Sequence, residues 1–288
     1  MKETVQAINL EDLHPFPDHP FQVVDNEELQ ALTESIQEYG VITPVVVRPQ
    51  ETGGYEIISG HRRIKACEKV GIDTVPAFVR DMDRDAAIIA LVDSNLHREH
   101  ILPSEKAHAY KLKLEAIKRQ GKRTDLADTS TCRQLVDKSK SADIVGLQTE
   151  ESGRQVQRYI RLTELIPPIL EMVDSGLIAF SPAVELSYLA EKEQADLLET
   201  MESEEATPSL SQAQRMKKLS ADGKLDMDTI FDIMTEEKAN QKEQIKLKKD
   251  SIKGFFPKGY TAQQMEKVIF KLLEDWKRKR ERSRNDAR

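Results

Sequence analysis

The spacing of apolar residues changes near residue 100, and this change constrains the fold more than any other feature of the 288-residue chain. Before it, short apolar runs typical of β-strands alternate with runs of helical spacing. From residue 103 onward, only helical spacing recurs. We therefore predict an α+β protein: a small mixed α/β N-terminal domain, then an all-α domain and a C-terminal helix.

The predicted elements divide the chain into four parts, 1–100, 101–202, 203–254 and 255–288. In the first part, strands are predicted at 44–49, 55–59 and 75–79, and helices at 26–39, 61–70 and 85–96. In the second, helices are predicted at 103–120, 142–147, 152–165, 167–175, 181–190 and 191–202, with an irregular segment at 121–139. The third mixes helix and linker, with a loop at 203–211 and a linker or solvated helix at 235–253. A last helix is predicted from residue 261 to about 282.

Charge and cysteine content exclude several classes of protein. The net charge is -7, yet residues 238–288 carry 16 basic and 7 acidic side chains, which indicates separate partners for separate parts or a solubilising end. No apolar run approaches the roughly 18 residues of a membrane span, and the N-terminus lacks the apolar core of a signal peptide. Cys67 and Cys132 cannot form a disulfide framework, and no Cys/His cluster has zinc spacing. We expect a reduced, soluble, cytoplasmic protein.

The segment SGHRR at 59–63 joins a predicted strand to the start of a predicted helix. Backbone N–H groups at a helix start favour an anion, and Gly60 lets that anion approach the backbone closely. Arg62 and Arg63 offer forked donors that suit phosphate oxygens. A surface helix with ordinary arginines is the alternative, but strand, glycine and paired arginines together favour a phosphate site.

A second polar segment, DSNLHRE at 93–99, contains Asp93, Asn95 and Arg98. Carboxylate and amide oxygens beside an arginine suit a magnesium-bound polyphosphate. Helix capping and turn formation use the same residue types, and for this segment taken alone they are the better explanation.

Residues 142–147 and 152–165 have the lengths of a helix-turn-helix, with Ser152 as an N-cap. Arg154, Arg158 and Arg161 are spaced to share one face, and Gln155 and Gln157 lie near the N-terminal end, where recognition helices meet base edges. The alternative is an amphipathic helix with a solvated basic stripe.

Taken in order, these segments resemble the ParB family of DNA-partition proteins. The resemblance covers roughly residues 5–190 and rests on PFQ at 20–22, GVITPVVVR at 40–48, GHRR at 60–63, SNLHR at 94–98 and PSEKA at 103–107. It implies a first domain that binds CTP with Mg²⁺ and a second domain with a DNA-binding helix-turn-helix. The nucleotide-binding residues that it implies are Thr43, Gly60, His61, Arg62, Arg63, Asn95 and Arg98, with Asn95 and Asp93 as candidate metal ligands. The corresponding DNA-binding residues are Ser152, Arg154, Gln155, Gln157, Arg158 and Arg161.

Two positions depart from the common family pattern. His61 and Ser94 stand where that pattern has glutamate, so two carboxylates near the metal and phosphates are lost. Asp93 lies about 100° around the helix from Ser94, which limits it as a replacement. We therefore expect CTP binding to be better supported than CTP hydrolysis. The family fold is shared with sulfiredoxin, but no cysteine stands between Gly60 and Arg62, which argues against a thiol enzyme; sparse carboxylates argue against a nuclease.

The resemblance also implies partners. The expected ligand is double-stranded DNA with a centromere-like site, and the expected assembly is a homodimer through the C-terminal helix, whose apolar stripe is Met265, Ile269, Leu272 and Trp276. That stripe has an intrachain alternative, packing onto Phe255, Phe256 and Tyr260. A ParA-type ATPase is a further partner of the family, although the acidic start of this chain differs from the basic tail that usually contacts it. We expect a nucleoid- or plasmid-associated CTP-dependent clamp; a site-specific transcriptional or nucleoid-associated regulator that does not spread is the alternative.

Overall fold

The computed structural model describes residues 4–17, 19–50, 53–96, 98, 100–127, 138–147, 151–236, 254–257 and 260–285. It consists of two compact units, residues 1–236 and 237–288, which we describe separately. The first contains a β-sheet followed by a series of packed helices. Among its described residues, the second contains one long helix.

A five-stranded sheet forms the centre of the N-terminal domain. Its strands are β1 (Val5–Asn9), β2 (Leu13–Pro15), β3 (Val45–Pro49), β4 (Tyr55–Ser59) and β5 (Thr74–Val79), in the spatial order β1-β5-β3-β4-β2. Strand β3 runs parallel to β5 and antiparallel to β4, so the three strands predicted from apolar runs form the middle of the sheet. The two edge strands were not predicted. In β1 only Ile8 is buried, so this strand lacks the apolar alternation that reveals strands in a sequence.

Three helices pack against this sheet, and all three confirm the predictions. They are α1 (Glu27–Tyr39), α2 (His61–Val70) and α3 (Arg84–Asn95). The side chain of Asn26 caps α1 by accepting from the Leu29 N–H at 3.0 Å, and Asp83 caps α3 in the same way. Buried residues on α1 and α2 share one core with the sheet, while α3 shares a second core with Phe16 and Phe21. The start of α2 is thereby fixed at the end of β4.

Eight α-helices follow in the described part of the first unit. They are α4 (Pro103–Ala127), α5 (Lys138–Leu147), α6 (Gly153–Arg161), α7 (Pro167–Asp174), α8 (Phe180–Leu186), α9 (Glu191–Ser203), α10 (Leu210–Ala221) and α11 (Met227–Thr235). Buried residues of α7 to α11 form one core, and a smaller core joins α4, α5 and α6 around Tyr110 and Val156. The α/β domain followed by packed helices confirms the predicted fold class.

Several predicted boundaries in the helical part were wrong. Helix α4 runs on to Ala127 instead of ending near 120, and α5 begins at Lys138 instead of 142. Helix α8 ends at Leu186, because a turn follows in which Leu189 N–H donates to Leu186 O. Helices α10 and α11 lie inside the part predicted to mix helix and linker, where burial against α8 and α9 stabilises them. Residues 128–137 and 237–253 lie outside the described residues, so predictions there are untested.

The second unit contains α12 (Ala262–Asn285), which overlaps the helix predicted at 261–282. Phe270, Leu272, Leu273 and Trp276 are each more than half exposed on it. Phe256 and Tyr260 lie before the helix with ring centroids 6.0 Å apart. Within the described part of the chain, no helix is both long and apolar enough to cross a membrane.

Candidate functional site

A cavity of about 430 Å³ opens at the N-terminus of α2. Its lining comes from α1, the junction of β4 with α2, and the C-terminal end of α3. The lining residues are Glu28, Leu32, Ser59, Gly60, His61, Arg62, Arg63, Ser94, Asn95 and Arg98. Segments far apart in sequence therefore meet at one helix start, where unpaired backbone N–H groups favour an anion.

Gly60 makes the tight connection between β4 and α2. Its φ of 109° lies in the left-handed region, which residues with a Cβ rarely adopt. A Cβ at this position would lie 2.6 Å from Cγ1 of Val45. The glycine is therefore required both by the backbone conformation and by the packing of β3 beneath the cavity.

Three arginines surround the cavity, each held differently. Arg62 pairs with Glu28 of α1 at 3.0 Å, in a largely exposed ion pair. Arg63 donates from Nη1 to the backbone carbonyls of Thr43 and Pro44, at 2.5 and 2.8 Å. Arg98 packs over the ring of Phe21, 5.7 Å from its centroid.

Burial weakens the proton affinity of two of these arginines. Burial is the main cause that lowers the pKa of Arg63, and for Arg98 the nearby charge of Arg62 adds to the effect of burial. Guanidinium groups remain charged under such shifts, so their desolvated positive charge creates a strong preference for an anion.

The C-terminal end of α3 brings an amide to the same cavity. Asn95 is buried, and its Nδ2 donates to the Leu91 carbonyl at 2.8 Å and to Ser94 Oγ at 3.2 Å. This orientation leaves Oδ1 as the atom that can act as a ligand. Asp93 is turned away and pairs instead with Lys113 of α4, so it does not line the cavity.

One histidine, His61, lines the cavity, and a second, His19, contacts its ring. The ring of His61 stacks on that of His19, with centroids 4.0 Å apart and planes at 54°. The Nε2 atoms of both rings are buried without a hydrogen-bond partner. Burial, with smaller contributions from His19 and Arg98, lowers the pKa of His61 to about 3, so the imidazole is neutral at physiological pH.

Most residues predicted for this site are brought together, with two exceptions. Gly60, His61, Arg62, Arg63, Asn95 and Arg98 line one cavity. Thr43 does not line the cavity, but its backbone carbonyl accepts a hydrogen bond from Arg63. Asp93 also lies outside the lining and pairs with Lys113. Sequence reasoning missed Glu28 and Leu32, because only the packing of α1 against α2 places them in the cavity lining.

The second candidate site is the helix pair α5 and α6. The Ser152 side chain accepts from the Gln155 N–H at 3.2 Å, which confirms the predicted N-cap. Gly153 lies against α5, and a Cβ there would be 2.1 Å from Oδ1 of Asp143. This contact sets how closely the two helices approach. Val156 is fully buried on the inner side of α6.

The six predicted DNA-contacting residues have different surroundings on α6. Arg154 and Gln157 are exposed. Arg158 donates to Ser181 Oγ at 3.0 Å and lies over the Phe180 ring, 4.9 Å from its centroid. Arg161 donates to the carbonyl and hydroxyl of Ser187 and lies over the Tyr188 ring. The predicted arginine face is therefore divided, with Arg158 and Arg161 bound to the α8 region and Arg154 directed to solvent.

The fold and these two sites define an α/β domain with an arginine-lined cavity, followed by packed helices among which α5 and α6 form a pair. The ParB N-terminal domain matches residues 1–96. Stage 0 sporulation protein J of Bacillus subtilis is 29% identical over 197 residues, and the chromosome-partitioning protein Spo0J of Thermus thermophilus is 33% identical over 193 residues. Residues 1–96 thus match the ParB N-terminal domain, and about two thirds of the chain is similar to these chromosome-partitioning proteins.

Coverage is partial for each relative. The matches cover 68% and 64% of this chain, and 62% and 60% of the Bacillus and Thermus proteins. A nucleoid occlusion protein of Geobacillus is 38% identical over 115 residues, covering 40% of this chain and 41% of that protein. The chain thus spans about three fifths or less of the length of these relatives.

Among solved structures, the chain is similar to C-terminally truncated ParB from Caulobacter crescentus complexed to the centromeric parS site. That similarity has a TM-score of 0.44 and 21% identity, and it covers 74% of this chain and 98% of the other.

Proposed function

We propose that this protein is a ParB-type DNA-binding protein of plasmid, mobile-element or chromosome partition, and that CTP controls its closure into a DNA clamp. The observation that carries the proposal is the cavity in which Gly60, Arg62, Arg63, Asn95 and Arg98 converge, within a domain of the ParB family. Three guanidinium groups at a helix start suit a triphosphate. The choice of CTP over other nucleotides comes from the family resemblance.

Mg²⁺ is the metal that the family resemblance adds to this site. Asn95 Oδ1 offers one oxygen ligand, and Mg²⁺ commonly takes its remaining ligands from phosphates and water. Glu28 is the carboxylate of the lining and pairs with Arg62. Among the described residues, no group of three or more His, Cys, Asp or Glu side chains is placed to hold a metal. Mg²⁺ would therefore bind with the nucleotide and help to neutralise its phosphates.

Hydrolysis of CTP is less well supported than binding. The two positions that usually carry glutamate have the neutral imidazole of His61 and the hydroxyl of Ser94, which donates to the Leu91 carbonyl at 2.9 Å. Neither group supplies the negative charge with which a carboxylate would stabilise the metal ion bound to the triphosphate. We expect a nucleotide switch with slow or absent turnover.

Helix α6 is the proposed reading element for double-stranded DNA. Its N-terminal half presents Arg154 and Gln157 to solvent, and these side chains suit guanine and adenine edges in a major groove. Dimerisation through α12 would give two reading helices for a centromere-like site of two halves. A ParA-type ATPase as partner rests on the family resemblance alone.

A titration of the full chain with CTP and Mg²⁺ tests the nucleotide proposal, with ATP, GTP and UTP as controls. We expect preferential binding of CTP and a clear loss of affinity in Arg62→Ala. Lys65→Ala is the matched control, since Lys65 lies on the same helix, is exposed and pairs with Glu68. An absence of CTP binding by the unmodified chain would refute the nucleotide proposal.

A site-specific regulator that binds DNA without spreading is the second candidate. The similarity to a nucleoid occlusion protein of Geobacillus, 38% identical over 115 residues, favours this candidate. Genome-wide DNA occupancy of the unmodified chain and of Arg62→Ala separates the two. The clamp is supported if DNA occupancy extends broadly around a site for the unmodified chain but is confined to a sharp peak for Arg62→Ala. The regulator is supported if occupancy is confined to sharp peaks for both proteins.

A further inference from the structure

The lining of the cavity includes a negatively charged group among its arginines. Of the described residues that line the cavity, Glu28 on α1 is the one that carries a carboxylate. Its Oε2 accepts a hydrogen bond from Nη1 of Arg62 at 3.0 Å. Carboxylate and phosphate oxygens are both strong acceptors for the donors of a guanidinium group. Glu28 and a phosphate chain in this cavity therefore require the same cation.

The three arginines of the lining differ in the partners that they would have to leave. Arg63 donates to two backbone carbonyls, and Arg98 packs over the ring of Phe21. Among the ion pairs that the described residues form, Arg62 is the cavity arginine that pairs with a carboxylate. Its side chain is 32% exposed and that of Glu28 is 65% exposed, so water competes for both groups and the pair is weak. Arg62 is thus the arginine that can exchange a carboxylate for a phosphate at low cost.

A second ion pair joins the same two helical segments outside the cavity. Nζ of Lys69 on α2 lies 2.6 Å from Oδ1 of Asp25, directly before the Asn26 cap of α1. Its side chains are 34% and 71% exposed, close to the values for Arg62 and Glu28, but neither of them lines the cavity. Arg62 and Lys69 share one face of α2, because seven residues make about two helical turns. The contact between the segments therefore keeps one ion pair when Arg62 changes partner.

We propose that Glu28 is an internal competitor of the bound anion, which a phosphate chain must displace from Arg62. This inference rests on the proposed function, since the anion is the phosphate chain of the nucleotide. The competition lowers the affinity of the cavity, so Glu28 sets the nucleotide concentration at which Arg62 is engaged. Glu28 lies outside the five segments that resemble ParB, so the role belongs to a residue that the resemblance does not include.

Inorganic tripolyphosphate is a suitable probe, used in metal-free buffer so that Glu28 cannot act by holding a cation. We would titrate the full chain with it by isothermal titration calorimetry. Glu28→Gln should bind tripolyphosphate about 3-fold more tightly, because the amide keeps the size of the side chain but loses the competing charge, and an exposed ion pair is worth little. An affinity that is unchanged or lower in this variant would overturn the proposal.

Asp25→Asn is the matched control for the change in charge. It also removes one negative charge near the start of α1 and one ion pair to α2, but that pair lies outside the cavity lining. Both acidic side chains are largely exposed, so neither substitution should prevent folding. Asp25→Asn should change the affinity for tripolyphosphate much less than Glu28→Gln does. Equal gains in the two variants would mean that net charge, and not displacement from Arg62, determines the affinity.

A double-mutant cycle tests whether Glu28 acts through Arg62. In an Arg62→Ala background, Glu28→Gln has no guanidinium group to release, so the double variant should bind tripolyphosphate about as weakly as Arg62→Ala alone. The same gain with and without Arg62 would refute the competitor, and so would full recovery of binding in the double variant.

A parallel titration of the unmodified chain with CTP and Mg²⁺ separates this inference from the proposed function. CTP binding by the unmodified chain, with no gain in tripolyphosphate affinity in Glu28→Gln, refutes the competitor alone. A gain in tripolyphosphate affinity without binding of any nucleotide refutes the nucleotide function and leaves the competitor supported. If neither the unmodified chain nor Glu28→Gln binds tripolyphosphate, the cavity is not a phosphate site and the competitor is refuted with it.

Discussion

Replacing Gly60 and Gly71 by alanine separates the cost of a left-handed backbone from the cost of crowding by a neighbouring side chain. Gly60→Ala adds a Cβ 2.6 Å from Val45 and also forces a left-handed backbone, so we expect a loss of about 2–4 kcal/mol in the free energy of unfolding. Gly71→Ala is the matched control, since its φ is 80° but nothing lies within 4 Å of the added Cβ. It should cost only about 1 kcal/mol. Urea unfolding measures both, and equal losses would remove the crowding argument.

Lys113 is fully buried and pairs with Asp93, which joins α4 to α3. Breaking a buried ion pair costs several kcal/mol, but the Asp93 side chain is 35% exposed, so we expect Asp93→Asn to cost about 1–3 kcal/mol. In the exposed pair of Lys65 with Glu68, Glu68→Gln should cost less than about 1 kcal/mol. Thermal unfolding of both variants compares the pairs. Equal, small effects would mean that the Asp93 contact is as weak as a surface pair.

At the scale of elements, the two ends of α6 should respond differently to substitution. Arg154→Ala and Gln157→Ala should each weaken specific DNA binding by about 1–3 kcal/mol without changing stability, because both side chains are exposed. Arg161→Ala should lower the unfolding temperature, because it removes the hydrogen bonds to Ser187. Binding isotherms and thermal unfolding measured on the same preparations separate the two effects. If Arg154→Ala leaves DNA affinity unchanged, the reading element lies elsewhere.

Sequence patterns predicted elements well where local signals coincide with burial. The Asn26 cap, the Gly60 connection and the Ser152 cap each mark a helix start that the structure contains. Strand β1 was missed because pairing with β5, rather than its own apolar pattern, holds it in the sheet. Likewise, the contact between the rings of His19 and His61 comes from tertiary packing, which no spacing along the chain reveals.

At the scale of the whole molecule, the exposed apolar side chains of α12 lead us to predict that the protein is a dimer. Several large apolar side chains on this helix are more than half exposed, which is unfavourable unless a second copy covers them. Removing residues 255–288 should therefore convert a dimer into a monomer that retains CTP binding. Sedimentation velocity of the full and truncated chains measures this, and a truncated chain that still sediments as a dimer would place the interface within residues 1–254.

Helix α4 has a mechanical consequence for the first unit. On one side it pairs with α3, through Lys113 and also through Arg119, whose Nε lies 2.8 Å from Asp85. On another it holds Glu151, directly before the reading helix, through Lys106 and Tyr110. A 25-residue helix is about 37 Å long, so a tilt of about 10° moves points 20 Å apart along it by about 3 Å relative to each other. That displacement equals the length of a hydrogen bond, so a small tilt of α4 would be large enough to make or break the base contacts proposed for α6.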